Sequence, residues 1–327
     1  MPALSIIVPV YNKEQYVESS LNSILNQSFT DFEVIVVNDG STDSSPARCD
    51  AFARRDPRIT VVHQNNQGVS EARNAGVELA TGRYIGFVDC DDELEKDMYE
   101  ILLTNISDFK ADISMCGVKK TTLNNQTSDS TAQELQLFNK KEALVALLNN
   151  DFPISVYDKI YRADLAKSVL FTGHIYEDMF YNFNVLQKAS KVIRTSSEKY
   201  NYIVRENSES MARFSKKYMN ILDFSTKMLA QSKNADREIL ESAVMFDFVT
   251  NISLLNLLIL SDASEYASEY KLISDNLLKY RDYPKNATVR SKHKYALSIF
   301  LFQPVVYKYL LRLYCQFADS DVLRRTK

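Results

Sequence analysis

Short apolar runs alternate with amphipathic stretches along the first hundred residues. Residues 4–10, 32–37, 59–63 and 84–88 are rich in β-branched and aromatic side chains and have strand length. Pro9 lies near the end of the first run, where a missing N–H is tolerated. Between the runs, Val17, Leu21, Ile24 and Leu25 recur at helical spacing, and residues 46–55 and 69–80 carry helical patterns. Asn12, with Gln15 three residues on, reads as the cap that starts the first helix. Near-continuous apolar strands separated by helices predict an α/β fold: a mostly parallel sheet with helices on both faces. Right-handed crossovers then put the strands' C-terminal ends on one edge, where open α/β sheets bind ligands.

The pattern loosens after the fourth strand. Residues 95–109 read as a helix, 111–116 as a short strand, 140–149 as a helix, and 199–210 alternate like a strand. Residues 121–131, rich in Ser, Thr, Asn and Gln, read as an exposed hairpin or loop. From about Phe214 the period becomes helical throughout; Tyr218, Ile221, Leu222 and Phe224 share a face, and 239–260 is strongly apolar. The reading is a catalytic region at 1–213, divided near residue 110, and a helical bundle at 214–327.

Hydrophobic residues at 45% and charged residues at 25% are those of a soluble globular protein, and a net charge of -3 argues against nucleic acid as partner. Cys49, Cys90, Cys116 and Cys315 form no CxxC pair and read as reduced thiols in the cytoplasm; the N-terminus enters a strand at once, leaving no targeting segment. His63, His174 and His293 are too scattered for zinc. No uncharged apolar run reaches the length of a membrane span. The stretch 290–327 combines basic residues with an aromatic, apolar helix broken by Pro304, which suits peripheral contact with an anionic membrane surface and equally suits packing on protein.

Polar residues gather after three of the strands: Tyr11-Asn12, Asp39 to Asp43, and Asp89-Cys90-Asp91-Asp92. Three carboxylates within four positions are costly to bring together, and a hard divalent cation would compensate them; a solvated turn before a helix is the simpler reading. Their convergence on one sheet edge favours a site. Glycine-rich phosphate loops are missing, since the first turn runs Val10-Tyr11-Asn12-Lys13-Glu14 and the chain has only 7 glycines.

The segments Ile7-Val8-Pro9-Val10-Tyr11-Asn12, Val37-Asn38-Asp39-Gly40-Ser41-Thr42-Asp43, Asn66-Gln67-Gly68-Val69-Ser70-Glu71-Ala72-Arg73-Asn74 and Phe87-Val88-Asp89-Cys90-Asp91-Asp92, in that order, strongly resemble the family 2 glycosyltransferases of GT-A fold. The resemblance implies an inverting transferase that takes a sugar from a nucleotide-sugar, commonly a UDP-sugar, with Mn²⁺ or Mg²⁺, and builds a cell-surface polysaccharide or glycoconjugate. It places Pro9, Tyr11, Asn12, Asp39, Ser41, Arg73 and Asp91 at the nucleotide. Asp39 would accept the uracil N–H. Asp92 would carry the main metal role, Asp91 a shared ribose and metal role, and Asp89 a supporting one.

Further on, Lys159-Ile160-Tyr161-Arg162 and the pair Glu177-Asp178 are similar to the acceptor half of these enzymes, though Tyr157 stands where many relatives carry Trp, and the chain has no Trp. In inverting transfer the attacking hydroxyl loses its proton to a positioned carboxylate, a role the resemblance gives to Asp178, with Glu177 orienting it or binding acceptor. Acidic residues opening a helix are the plain structural alternative. Arg205 and Ser210 fall where the family's loop closes on the diphosphate. Two other classes remain: an idle nucleotide-sugar-binding subunit supporting a partner transferase, and a nucleotidyltransferase, which would want the absent glycine loop. The acceptor is a glycan or a lipid-linked saccharide.

Overall fold

The structure is a computed structural model of the chain and describes residues 1–121, 134–204, 214–261, 265–282 and 291–317. It consists of two compact units, Met1–Arg205 and Glu206–Lys327. The division expected at 213/214 falls past residues 205–213, which lie outside the described residues.

The first unit is built on a nine-stranded sheet. It opens with β1 (Leu4–Val10), α1 (Val17–Leu25), β2 (Phe32–Asp39), α2 (Ser45–Arg55), β3 (Ile59–Gln64), α3 (Val69–Leu79) and β4 (Tyr84–Phe87). Strands β1, β2, β3 and β4 pair in parallel, with Leu4 opposite Phe32 on one side and Tyr84 on the other. Leu4, Ile6, Ile7, Val8, Val34, Val36 and Val37 are fully buried, since helices cover both faces. Each such side chain contributes roughly 1.5–3 kcal/mol. Gly76 lets α3 lie against β1, because a Cβ there would stand 2.4 Å from Ile7 Cγ2.

The rest of this unit departs from the parallel plan. It comprises β5 (Glu93–Leu94), α4 (Met98–Asp108), β6 (Ile113–Thr121), β7 (Leu135–Asn139), α5 (Lys140–Leu148), β8 (Lys159–Arg162), α6 (Ala163–Lys167), α7 (Glu177–Leu186) and β9 (Lys191–Ile203). The sheet order is β3-β2-β1-β4-β8-β6-β9-β5, with β7 on β9. Strand β8 runs antiparallel to both β4 and β6, and β5 and β7 run antiparallel to β9, so the sheet is mixed. The helix expected from residue 95 starts at Met98 because residues 93–94 are taken into the sheet. Most of the loop expected at 121–131 lies outside the described residues.

The second unit contains α8 (Met219–Gln231), α9 (Arg237–Leu260), α10 (Ala267–Leu278), α11 (Ser291–Phe302) and α12 (Pro304–Phe317). Helix α9 is long and apolar enough to cross a membrane by length and composition alone, yet most of that apolar stretch is buried, as the core helix of a bundle is. Among its buried residues is Asp247.

Candidate functional site

The loops that follow β1 and β2 are stitched to each other. The Asn12 N–H donates to Ser41 Oγ at 3.0 Å, and Asn12 Oδ1 accepts from the Thr42 N–H at 2.8 Å. Asn12 does this with a left-handed backbone, φ 51°, so it does not cap α1, whose preceding residue is Tyr16. The expected cap is thereby corrected: its amide is spent on the neighbouring loop. Pro9 is half-buried at the strand end, and Tyr11 is 46% exposed beside it.

Asp39, at the end of β2, is 3% exposed and turned into the chain. Its carboxylate accepts from the N–H groups of Gln67 and Gly68 at 2.9 and 2.8 Å and from Gln64 Nε2 at 2.7 Å. It thus fixes the loop that delivers α3.

Helix α3 presents Ser70, Arg73 and Asn74, spaced i, i+3 and i+4, on one face. All three reach the segment before and within α7. Ser70 Oγ donates to Gly173 O at 2.7 Å, and the Asn74 side chain both donates to and accepts from the Phe171 backbone, at 3.0 and 2.8 Å. Arg73, 3% exposed, donates to Glu177 Oε1 at 2.8 Å, Asp178 Oδ1 at 2.6 Å and Asp89 Oδ1 at 3.0 Å. Two distant parts of the sequence, at 89 and at 177–178, therefore place three carboxylates on one guanidinium. Beneath it lies an aromatic layer in which Phe171 stacks on Tyr181 at 3.8 Å and Phe87 meets both edge-on.

The charge balance is incomplete: one cation faces three anions. Burial opposes the charge on Arg73, and Asp178, Asp89 and Glu177 more than offset it, so it stays protonated. The Asp178 carboxyl is pushed up to about 7, first by burial, against Arg73, and further by Glu177. Asp89 is also raised, by burial and by Asp178 and Asp91. The other Asp178 oxygen accepts from the Val156 N–H at 3.3 Å.

The remaining two aspartates of the cluster point different ways. Asp91 is partly exposed and ion-paired to Lys13 Nζ at 2.6 Å. Asp92 is 1% exposed; Tyr200 Oη donates to its Oδ2 at 2.9 Å and the Ile203 N–H to its Oδ1 at 2.9 Å. Burial, with Asp89 nearby, pushes its carboxyl up to about 7. The cause is β5: pairing Glu93 with Asn201 and Leu94 with Tyr200 draws Asp92 inward against β9. Tyr200 also stacks on Tyr157, with ring centres 4.1 Å apart, and its hydroxyl accepts from the Asp89 N–H at 3.3 Å.

The structure thus brings Arg73, Asp89, Glu177 and Asp178 together, with Asp91 adjacent in sequence to the cluster. Lys13, Ser70, Asn74, Tyr200 and the Val156 N–H were not anticipated. Ser70 and Asn74 were legible in principle, as the i-3 and i+1 companions of Arg73 on a helix. Arg205 and Ser210 lie outside the described residues. Among the described residues no group of three or more His, Cys, Asp or Glu is arranged to hold a metal.

Residues 5–170, about half of the chain, match the model of glycosyl transferase family 2. The uncharacterized glycosyltransferase EpsJ of Bacillus subtilis is 35% identical over 219 residues, covering 64% of this chain and 63% of EpsJ. In fold, the chain is similar to S. aureus TarS 1–349 in complex with UDP-GlcNAc, with a TM-score of 0.71, 22% identity, and coverage of 96% and 91% of the two chains. The mannosyltransferase PcManGT of Pyrobaculum calidifontis, in complex with GDP-Man and Mn²⁺, aligns with a TM-score of 0.53 at 14% identity over 98% and 88%. At these identities the two structures speak for the fold alone.

Proposed function

The chain belongs to glycosyl transferase family 2, and from that premise we propose that it is an inverting transferase moving a sugar from a nucleotide-sugar, of the UDP class, to a hydroxyl of a glycan or lipid-linked acceptor in cell-surface polysaccharide synthesis. The observation that carries the reading is the triple engagement of buried Arg73 by Asp89, Glu177 and Asp178 at the ligand-binding edge of the sheet. A carboxylate raised to about 7 is suited to accept a proton near neutral pH.

In the proposed reaction the acceptor oxygen attacks the anomeric carbon. The bond from that carbon to the diphosphate oxygen breaks with its electron pair on the leaving nucleotide. The acceptor proton passes to an Asp178 oxygen. Arg73 and the Val156 N–H hold Asp178 from two sides and fix the direction of that oxygen. Glu177, on the same guanidinium, keeps Arg73 from neutralising Asp178 completely. Tyr11, exposed at the end of β1, offers a ring to the base, while Asp39 supports it indirectly by holding residues 67–68.

The residues fit a divalent cation of the kind completed by substrate phosphates, which needs one or two carboxylates rather than an all-protein cage. Asp91, paired with Lys13, and Asp89, paired with Arg73, are the partly exposed oxygen donors of the cluster. Asp92 is committed to Tyr200 and Ile203, so the principal metal role expected of it passes to Asp91 in this proposal. When bound, Mn²⁺ or Mg²⁺ would stabilise the charge of the departing diphosphate. The four cysteines are buried and outside any disulfide, which suits a reducing, cytoplasmic setting.

The test is metal-dependent turnover of UDP-sugars with Asp91→Asn beside the wild type. The proposal expects loss of both turnover and Mn²⁺-dependent UDP binding. Tight metal-dependent UDP binding by the wild type, with neither transfer nor hydrolysis of any nucleotide-sugar, would instead make the chain an idle binding subunit.

A further inference from the structure

Helix α12 wears its apolar side chains outward. Val305, Val306, Tyr309, Leu310 and Tyr314 are 71%, 45%, 64%, 43% and 66% exposed. They recur at i, i+4 and i, i+5 and form one stripe along the helix. Phe302 at the end of α11, 90% exposed, and Tyr295, 68% exposed, add to the apolar surface of this segment. The inner face of α12 is independently satisfied: Tyr307 and Cys315 are buried, and Tyr307 Oη donates to Asn256 Oδ1 at 2.6 Å. The outward stripe is therefore not a misassigned core face. Surface helices normally show water the opposite pattern, and contiguous exposed apolar patches mark interaction sites.

Charge decides the occupant. From residue 283 to residue 317 the chain has no Asp or Glu, while Lys285, Arg290, Lys292, Lys294, Lys308 and Arg312 are basic. Lys308 and Arg312 flank the stripe on α12, Lys308 Nζ lying 4.4 Å from the centre of the Tyr270 ring. Two copies of such a face would bring like charges together. Tyrosines with apolar bodies and polar tips are suited to the headgroup boundary. A helix of 14 residues is about 21 Å long, short of the roughly 30 Å hydrocarbon core, so it lies on a bilayer rather than crossing it.

We propose that the outward face of α12, continued by Phe302, docks the protein on an anionic lipid surface. The proposal stands on the second unit alone and does not depend on the reaction assigned to the first.

Co-sedimentation of the full chain with vesicles of equal parts phosphatidylglycerol and phosphatidylcholine, against pure phosphatidylcholine, tests it. The wild type is expected to partition about twenty-fivefold or more in favour of the anionic vesicles. The double variant Val306→Asp/Leu310→Asp should lose most of this, and Lys308→Gln/Arg312→Gln should lose about twenty-fivefold, at about fivefold per charge. Tyr309→Ser, which adds no charge, should weaken binding in the same direction, and the variants at the exposed positions Val306, Tyr309 and Leu310 should leave the thermal transition in place. Absence of vesicle binding, or equal binding by the Val306→Asp/Leu310→Asp variant, would overturn the proposal. So would a stable dimer, seen by light scattering, that this variant splits while the vesicles bind neither form.

Discussion

Asp178 in the first unit and Asp247 in the second are both helix carboxylates withdrawn from water, yet they keep different company. Asp247, 6% exposed, is surrounded by neutral donors: Ser225 Oγ at 2.6 Å, the Tyr280 hydroxyl, and Asn251 Nδ2 at 3.4 Å. These bind α8, α9 and the residues after α10 to one another. Asp178 instead shares a single guanidinium with Asp89 and Glu177, and its second oxygen has one backbone N–H. Neutral donors from three elements fix Asp247 among the helices. Asp178 stands with two other carboxylates on one guanidinium near the exposed sheet edge. The comparison separates a carboxylate that holds helices together from one poised to accept a proton.

The sharpest break of the comparison is at Asp178 itself. Asp178→Asn keeps size and much of the hydrogen bonding but cannot act as a base. Transfer should fall by about 10²–10⁴-fold, with UDP binding and thermal unfolding little changed. Retention of full transfer, measured by product formation, would remove Asp178 from the reaction.

Removing the shared cation comes next. Arg73→Met leaves three carboxylates crowded without their partner and should destabilise the first unit by about 3–5 kcal/mol, read by denaturant unfolding. Asp247→Ala removes the acceptor shared by the Ser225 and Tyr280 hydroxyls and should cost about 1–3 kcal/mol, with kcat and KM unaltered. A kinetic effect of Asp247→Ala as large as that of Asp178→Asn would erase the distinction drawn above.

The smallest effect is the dependence on pH. Asp178 must be ionised to accept a proton, and its carboxyl is raised to about 7. Log kcat/KM should therefore rise with unit slope as pH climbs toward 7 and level off above it, about tenfold per pH unit on the acid limb. A profile flat from pH 5 to 8, compared with metal held saturating, would contradict the base assignment. For stability at Asp92 the sign is reversed. Its folded carboxyl, about 7, lies above the ordinary 3.8, so the contribution is full below the ordinary value and is lost as pH rises through 7.

Much of the first unit was legible from the chain. The four apolar runs became β1 to β4 in parallel because each is buried on both faces, and a strand covered on both faces must be apolar at nearly every position. The polar motifs after β1, β2 and β4 fell on the expected edge for the same reason. Less was legible where partners come from far away. Asn12 has the sequence of a helix cap, yet its amide found Ser41 and Thr42 instead. Arg73 read as a residue at the nucleotide, and its gathering of carboxylates from residues 89, 177 and 178 was not legible. The mixed half of the sheet was hidden because short antiparallel strands such as β5 and β7 carry too few residues to show a period.

The aspartate cluster after β4 shows where the division lies. Local physics in the sequence determined that carboxylates would stand at the end of a buried strand, on the edge where loops from β1 and β2 also arrive. It did not determine which way each would face. Pairing of β5 with β9 turned Asp92 toward Tyr200 and Ile203, proximity to α3 and α7 tied Asp89 to Arg73, and Asp91 was left toward Lys13 and solvent. Orientation of consecutive side chains depends on strand pairing across more than a hundred residues, and only the folded sheet supplies that register.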